Sequence, residues 1–355
     1  MNFSNLPVFS FERILPNETV ATDADTETRL ICDESRSQGI QAIPVPNTQI
    51  LKLQYGKHNE LIRMHKPSLN RGPAERICQS KNLTRAFLQF ANIPVPNGYA
   101  IFENDSDELI VSMFDKLSKP IVVKPANGTR GDGVSVNVID SAEALKLVRS
   151  VFEKYEPKSA FGVGCVIMEE MVGGSEYRIL ATPTEILAVM YREPANIVGD
   201  GIHSISDLVT IKNKEPIRNL SEDLYPHIVI DDAVIDFLSN QGLNADSIPN
   251  LDEKIYLRQI SNIMMGGDAH DITDDIHPSV RQLITSAVAS IEGLTFCGVD
   301  FITSDIYADQ KDVKCAIIEI NSAPEFAMHD FPMFGKSRNI TRHLVEMMFP
   351  EAYQK

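Results

Sequence analysis

Two apolar runs, CGVDFI at residues 297–302 and IIEIN at residues 317–321, carry polar side chains among branched and aromatic residues. Their length and composition predict buried strands at Phe296–Ile302 and Lys314–Ile320. Side chains two apart on a strand point to one face, so Glu319 and Asn321 share a side. Because a charge in an apolar strand is costly unless it is paired or binds a metal, Asp300, Glu319 and Asn321 are site candidates.

These three side chains offer the oxygen ligands that Mg²⁺ prefers, and the ion keeps water or phosphate oxygens at its other positions. The structural alternative is a salt bridge between one carboxylate and a neighbouring arginine. The sequence leaves both interpretations open.

Lys124 is a second candidate, at the end of the predicted strand Pro120–Lys124. A loop at Asn127–Gly133 and a strand at Val134–Ile139 follow it. Glycines let backbone N–H groups approach phosphates closely, and the lysine supplies positive charge. The loop joins two strands, so it matches neither Walker A nor GxGxxG, which open a helix. A hairpin turn beside a half-buried lysine is the alternative interpretation.

Arg192 and Arg258 lie in strand-like segments, where a guanidinium can bind carboxylate or phosphate oxygens. The alternative is that each is an ordinary solvated arginine. The histidines show no HExxH spacing, and no GxSxG elbow is visible. The sequence therefore gives no sign of a side-chain nucleophile.

The composition excludes several classes of protein. The chain has 355 residues with 33 Lys and Arg against 49 Asp and Glu, a net charge of −16, which argues against nucleic acid as a partner. Apolar runs such as Gly162–Met168 are far shorter than the roughly 20 residues of a membrane helix, and Met1–Phe11 lacks the pattern of a secretion signal. Five cysteines without a CxxC pair favour reduced thiols and a cytoplasmic location.

Hydrophobic periodicity predicts a mixed α+β fold with two lobes. The region 204–252 is polar and is interpreted as a helical insertion. Asp140 is predicted to cap the helix that starts beside it. The predicted helices are Thr26–Gln38, Lys81–Ala91, Ala142–Tyr155, Val280–Leu294 and Ile340–Phe349, and the further strands are Val163–Met168, Tyr177–Ala181, Ile186–Tyr191 and Lys254–Arg258.

Ordered motifs cover about residues 49–350: LQYGK at 53–57, SK at 80–81, IPVPNG at 93–98, VVKP at 122–125, EYR at 176–178, REPANIVGDGIH at 192–203, SN at 261–262, CGVD at 297–300 and EINSAP at 319–324. With these motifs the sequence resembles the ATP-grasp superfamily. It is similar to the ATP-grasp half of cyanophycin synthetase and, almost as closely, to the glutathione-synthetase half of bifunctional glutathione enzymes.

The resemblance implies an α+β ATP-grasp fold, with two α+β lobes that hold ATP between them and a short N-terminal segment before them. It implies an N-terminal region at 1–79 and an ATP-grasp domain at 80–350. A lid-like subdomain is expected at about 115–172, and the helical insertion at about 204–252 belongs to the same domain.

The resemblance also implies a role for each candidate residue. Lys81 and Lys124 would contact the nucleotide phosphates under a loop that contains Gly128, Arg130, Gly131 and Gly133. Glu169, Glu170, Met171 and Val172 would read adenine, largely through backbone groups, and Glu176 would hold ribose. Asp300, Glu319 and Asn321 would hold two Mg²⁺ ions, with Mn²⁺ as a substitute. Arg178, Arg192, Arg258 and Asn262 would line the reacting centre.

The implied activity is ATP-dependent joining of a carboxylate to an amine through an acyl phosphate, with release of ADP and phosphate. The substrates would be an amino acid or peptide and an amine, with neither nucleic acid nor membrane as partner, and relatives are often homo-oligomers. The chain has no room for the second, Mur-type half of cyanophycin synthetase, which points to a stand-alone ligase in peptide-like metabolite synthesis. An ATP-grasp kinase and a non-catalytic ATP-binding module are the alternatives.

Overall fold

The structure is a computed structural model that describes residues 26–45, 50–63, 66–127, 133–154, 164–219, 224–259 and 261–354. The helices are α1 (Thr26–Ser37), α2 (Gly72–Cys78), α3 (Lys81–Phe90), α4 (Asp107–Asp115), α5 (Ser141–Lys154), α6 (Ile205–Lys212), α7 (Asp232–Asn240), α8 (Pro278–Ala289), α9 (Ala327–Asp330) and α10 (Ile340–Met348). The strands are β1 (Gln41–Val45), β2 (Ile50–Tyr55), β3 (His58–Arg63), β4 (Gly98–Phe102), β5 (Ile121–Pro125), β6 (Ser135–Val138), β7 (Cys165–Glu170), β8 (Ser175–Ala181), β9 (Ile186–Glu193), β10 (Asn196–Val198), β11 (Lys254–Tyr256), β12 (Asp268–Asp271), β13 (Cys297–Thr303) and β14 (Cys315–Asn321).

The chain divides into two compact units, and both are discontinuous in sequence. Unit 1 contains residues 1–69, 190–271 and 323–355, and unit 2 contains residues 70–189 and 272–322. The predicted domain boundary between residues 79 and 80 stays a prediction.

One sheet of unit 2 has the antiparallel order β4-β7-β5-β6. Helices α4 and α5 bury apolar side chains such as Phe114 and Val148 in one core with Val123 and Met168 of the sheet. Asp140 accepts a hydrogen bond from the Glu143 backbone N–H at 2.9 Å, which is the N-terminal cap that the sequence predicts for α5. This apolar core therefore fixes the strands of the sheet, and with them the positions of the strand ends.

The other sheet of unit 2 has β13 between β8 and β14, with antiparallel pairing on both sides. Almost every residue of β13 is buried, as its apolar sequence predicts. Helices α2 and α3 pack against β14. The Asn70 side chain donates to the backbone oxygens of Phe296 and Ser322 at 2.7 and 2.8 Å, next to the ends of β13 and β14.

Unit 1 combines the antiparallel sheet β1-β2-β3, the pair β10-β11, and β12 against the second half of β9. Between β10 and β11 lie α6, a short 3₁₀ turn at Pro216–Asn219 and α7, within the region 204–252 where a helical insertion is predicted. Helix α10 packs on α1, and the Tyr353 hydroxyl donates to a Glu34 carboxylate oxygen at 2.7 Å.

Most predicted elements are confirmed within one or two residues, but helix α8 is an exception. It ends at Ala289, whereas the apolar pattern predicted a helix to Leu294. Ser290 closes the helix, and Gly293 has a φ of 88°, in the left-handed region that stops a helix. The apolar pattern extends to Leu294 because this residue is also buried, although it lies beyond the end of the helix. Tyr155 and Val163, the first residue of another predicted strand, lie outside the described residues.

The described elements that were not predicted from the sequence include the β2-β3 hairpin, α2, β4, α4, β10, β12 and α9. Each is short, and several lack clean periodicity. Within the described chain, no helix combines the length and the apolar character needed to cross a membrane.

Candidate functional site

A row of charged side chains crosses three neighbouring strands of unit 2. Asp300 on β13 is directly opposite Arg178 on β8 and directly opposite Glu319 on β14. A register shift between Asp300 and Phe301 follows this row, so that Phe301 pairs with Ile317 instead of Ile318. Arg178 Nη1 lies 3.3 Å from Asp300 Oδ2. The register thus collects three charges from distant parts of the sequence.

Lys81 and Asn321 complete this row. Lys81, the first residue of α3, places its Nζ 3.2 Å from Glu319 Oε1. The side-chain amide of Asn321 fits its surroundings with its oxygen 2.8 Å from Arg178 Nη1 and its nitrogen 3.1 Å from Glu319 Oε1. Glu319 and Asn321 therefore share a face, as their spacing predicts.

The row contains both possibilities that the sequence left open. The salt bridge of Asp300 with an arginine is present. Asp300, Glu319 and Asn321 also form a set of two carboxylates and one amide on one surface, and only 13% and 27% of the two acidic side chains is exposed. Such a set fits Mg²⁺ by its chemistry, because hard divalent ions bind carboxylate and amide oxygens.

Lys124 on β5 is buried, at 4% exposure, and not half-buried as the hairpin interpretation supposed. Its Nζ lies 2.6 Å from Glu169 Oε1, and the other oxygen of this carboxylate accepts a hydrogen bond from Arg85 on α3. Burial lowers the pKa of Lys124, and the positive charges of Arg85 and Lys81 act in the same direction. The buried Glu169 carboxylate thus holds two cations from two elements.

The segment predicted to read adenine starts at the end of β7. Glu170 accepts hydrogen bonds from the Ser118 backbone N–H at 2.8 Å and from the Asn97 side chain at 3.1 Å. These bonds, with the Ser118 N–H as the largest cause, lower the pKa of Glu170. Met171 is 38% exposed, so its apolar side chain is accessible beside the strand.

Three further residues that were predicted to bind the nucleotide lie on or next to strands of unit 2. Glu176 lies on β8 opposite Ile302, and Val172 follows the end of β7. Gly133 has a φ of 71°, a conformation that favours glycine at the end of the loop. Gly128, Arg130 and Gly131 lie outside the described residues, so their predicted contacts with phosphate stay predictions.

The remaining candidates belong to unit 1. Arg192 on β9 is opposite Ala269 on β12. Arg258 donates from Nη2 to Asp231 Oδ2 at 2.6 Å, and Asp231 also caps α7. The Asn262 side chain accepts a hydrogen bond from the Met264 backbone N–H at 2.9 Å and so caps a 3₁₀ turn. The predicted roles of these three residues at a reacting centre stay predictions.

A cluster of Glu193, Asp268 and His270 in unit 1 has the compactness of a metal site, but its acids already have positive partners. Asp268 contacts Arg218 at 2.5 Å and Lys212 at 2.6 Å. Glu193 contacts Lys254 at 2.7 Å and His270 at 3.1 Å. These contacts make the cluster an ion-pair network that fastens the helical insertion to β9 and β12.

Sequence reasoning singled out neither Arg85 nor the partner of His203. Arg85 stands four residues after Lys81, one helical turn on, which is the signal that could have indicated a shared face. His203 Nδ1 lies 2.6 Å from Asp200 Oδ2 in the motif GDGIH, and this contact raises the pKa of His203.

Comparison with known families agrees with this geometry. A family model described as phosphoribosylglycinamide synthetase, ATP-grasp (A) domain, matches residues 79–190, which contain Lys81, Lys124, the β7 segment and Arg178. Residues 79–190 thus match an ATP-grasp domain. The ATP-grasp fold predicted from the sequence is thereby confirmed.

Curated relatives are similar to most of this chain. It is 33% identical over 324 residues to a cyanophycin synthetase of Crocosphaera subtropica, across 91% of this chain and 36% of the relative. It is 35% identical over 313 residues to a bifunctional glutathione biosynthesis protein of Mannheimia succiniciproducens, across 86% of this chain and 40% of the relative. The ATP-grasp chain thus spans well under half the length of these relatives.

A solved structure resembles this ATP-grasp chain over nearly its whole length. The crystal structure of a bifunctional glutathione synthetase from Pasteurella multocida superimposes with a TM-score of 0.72 and 30% sequence identity. The match covers 93% of this chain and 44% of the other. The shared fold therefore includes both units described here.

Proposed function

We propose that this chain is an ATP-dependent carboxylate–amine ligase that forms an amide bond through an acyl phosphate and releases ADP and phosphate. The observation that carries this proposal is the row of Arg178, Asp300 and Glu319, with Asn321 and Lys81 beside it. Oxygen ligands and cations on one surface are what a reaction at a phosphoryl group requires. The match of residues 79–190 to an ATP-grasp domain supports ATP as the nucleotide.

The residues of unit 2 would bind the nucleotide and its metal. Lys81 and Lys124 would hold phosphate oxygens as compact point charges. Asp300, Glu319 and Asn321 would hold Mg²⁺, proposed as two ions with Mn²⁺ as a substitute, and the metal would neutralise charge on the phosphoryl oxygens. Strands β5, β6 and β7 and helix α5 lie within the proposed lid-like subdomain of about residues 115–172, which would exclude water.

The proposed reaction has two steps. A substrate carboxylate oxygen attacks the γ-phosphorus of ATP, the bond to the bridging oxygen breaks, and ADP leaves. The amine then attacks the acyl carbon, a proton is lost from nitrogen, and inorganic phosphate leaves with an oxygen of the former carboxylate. Arg192, Arg258 and Asn262 are proposed to line the acyl centre, where a guanidinium can stabilise a developing oxyanion.

The substrates are proposed to be an amino acid or peptide and an amine, because the relatives are named for cyanophycin and glutathione synthesis. These names also favour amide formation over the kinase alternative. A role in peptide-like metabolite synthesis, a homo-oligomeric state and a cytoplasmic location are further proposals. All five cysteines lack a disulfide, which supports a reducing compartment.

The decisive experiment is isotope transfer from a donor acid labelled with oxygen-18 in its carboxylate. A screen of amino-acid pairs for ADP release would first identify the substrates. We expect the label in released phosphate, and we expect ADP as the only nucleotide product. Formation of AMP and pyrophosphate, or retention of all label in the amide and unreacted acid, would overturn the proposed acyl phosphate.

A further inference from the structure

The Glu169 carboxylate is shared between two cations that belong to different elements. Lys124 reaches it from β5 and Arg85 reaches it from α3. The exposed fractions of the three side chains are 5% for Lys124, 3% for Glu169 and 10% for Arg85. Water therefore stabilises these charges little. The orientation of each side chain depends on its charged partner.

Helix α3 connects this group to the row of charges around Glu319. Lys81 and Arg85 are four residues apart, so their side chains lie on neighbouring turns of one face. Lys81 contacts Glu319 on β14, and Arg85 contacts Glu169 on β7. One helix face thus places a cation on each of two carboxylates that come from different sheets.

A phosphate would draw the Lys124 ammonium, which has three N–H donors, at least partly away from Glu169. If Lys124 were the only partner of Glu169, that movement would leave a buried carboxylate unpaired, which is strongly unfavourable. Arg85 removes this obstacle because it stays on the other carboxylate oxygen. A guanidinium suits this task, since burial lowers the pKa of Arg85 only to about 10 and it remains charged at neutral pH.

We propose that Arg85 is a positioning residue that neutralises Glu169 and so frees Lys124 to bind the nucleotide phosphates. This inference rests on the proposed function, because it takes ATP as the ligand of Lys124. Arg85 itself touches neither the phosphates nor the metal ligands in this scheme. It acts through the carboxylate that would otherwise retain the lysine.

The test compares the affinities of wild-type protein and variants for Mg²⁺–ATP and for adenosine, by calorimetry without acid or amine. Arg85→Met keeps an apolar stem of similar length and removes the charge. We expect at least a tenfold loss of ATP affinity, with adenosine affinity within about twofold of wild type, because adenosine has no phosphates. The double variant Arg85→Met/Glu169→Gln should recover most of the ATP affinity, since a neutral amide no longer retains Lys124.

Arg149→Met is the matched control, because Arg149 pairs with Asp107 at 2.6 Å in the same unit but on an exposed surface. It should leave both affinities unchanged. If Arg85→Met does not fold, Arg85→Gln gives the same comparison with a polar, neutral side chain.

An unchanged ATP affinity in the folded Arg85 variant would overturn the inference. So would an equal loss of ATP and adenosine affinity, which indicates a structural role, or a double variant as weak as the single one. Failure of the wild-type protein to bind ATP would instead contradict the proposed function, so the two failures are distinguishable.

Discussion

The substitution Glu319→Gln is expected to change the unfolding free energy and the turnover rate by different amounts. It preserves the shape of the side chain and removes one negative charge from the proposed metal ligands. Glu319 currently attracts Lys81 and stands directly opposite Asp300, another carboxylate. The substitution therefore removes one attraction and one repulsion together.

The two effects can be compared in size. With an effective dielectric constant of about 20, the Lys81–Glu319 contact at 3.2 Å corresponds to an attraction of about 5 kcal/mol. Directly opposed residues have Cβ atoms about 5 Å apart, and two carboxylates at that separation would repel by about 3 kcal/mol on the same scale. Because Glu319 is 27% exposed, solvent reduces both values. We expect the unliganded protein to lose only about 1–2 kcal/mol of unfolding free energy.

Turnover should fall far more than stability. We expect at least a 100-fold loss, about 2.7 kcal/mol of transition-state stabilisation, because the metal ligands lose a formal charge. Steady-state ADP release measures turnover, and urea denaturation measures stability with and without Mg²⁺–ATP. The ligand should stabilise wild type by about 2.7 kcal/mol at 100 times its Kd, and the variant much less.

Asp107→Asn is the control for this comparison, since Asp107 also pairs with an arginine in unit 2 but is 60% exposed. It should leave turnover unchanged. A Glu319→Gln protein that keeps more than about a tenth of wild-type turnover, a loss below about 1.4 kcal/mol, would refute the metal assignment.

Three further predictions concern unit 1. Asp268→Asn removes the charge that pairs with Arg218, which is 1% exposed, and should cost about 3–5 kcal/mol in urea denaturation; a loss below about 1 kcal/mol would contradict this. The hydrogen bond to Glu351 raises the pKa of His58, so Glu351→Gln should lower the melting temperature most below pH 6.5 and lose its effect as pH rises through the raised pKa; an effect equal at all pH values would argue against this pairing. Arg258→Ala should slow amide formation more than amine-independent ATP hydrolysis in a product assay, and equal losses would place Arg258 on the phosphates instead.

The sequence was informative where local pattern and chemistry agree. β13 and β14 were predicted from their apolar runs, and the shared face of Glu319 and Asn321 follows from the two-residue period of a strand. The alternative with a half-buried Lys124 was wrong, because its environment comes from Glu169, 45 residues later in the chain. A single sequence provides no register between such segments.

The contacts that were not predicted depend on the register between strands and on pairs of residues far apart in the sequence. Asp300 lies between Arg178 and Glu319, and the register of β13 against β14 shifts directly after it, which no local pattern indicates. Asp268 meets Arg218 across 50 residues and an insertion of helices. Resemblance to a family supplied Arg178 as a candidate, whereas Arg85 lay in a predicted helix without any local sign of a buried partner.

The interleaving of the two units has a consequence for the order in which a nascent chain can fold. Unit 2 has all its strands once Ser322 has left the ribosome, but unit 1 still lacks residues 323–355 at that point. Helix α10 packs on α1, about 300 residues upstream, so α1 has to wait for this partner. At about 5–20 residues per second, synthesis of the intervening chain takes on the order of tens of seconds. During that time the apolar face of α1 is without its final cover, and we expect chaperone dependence to be concentrated in this early segment.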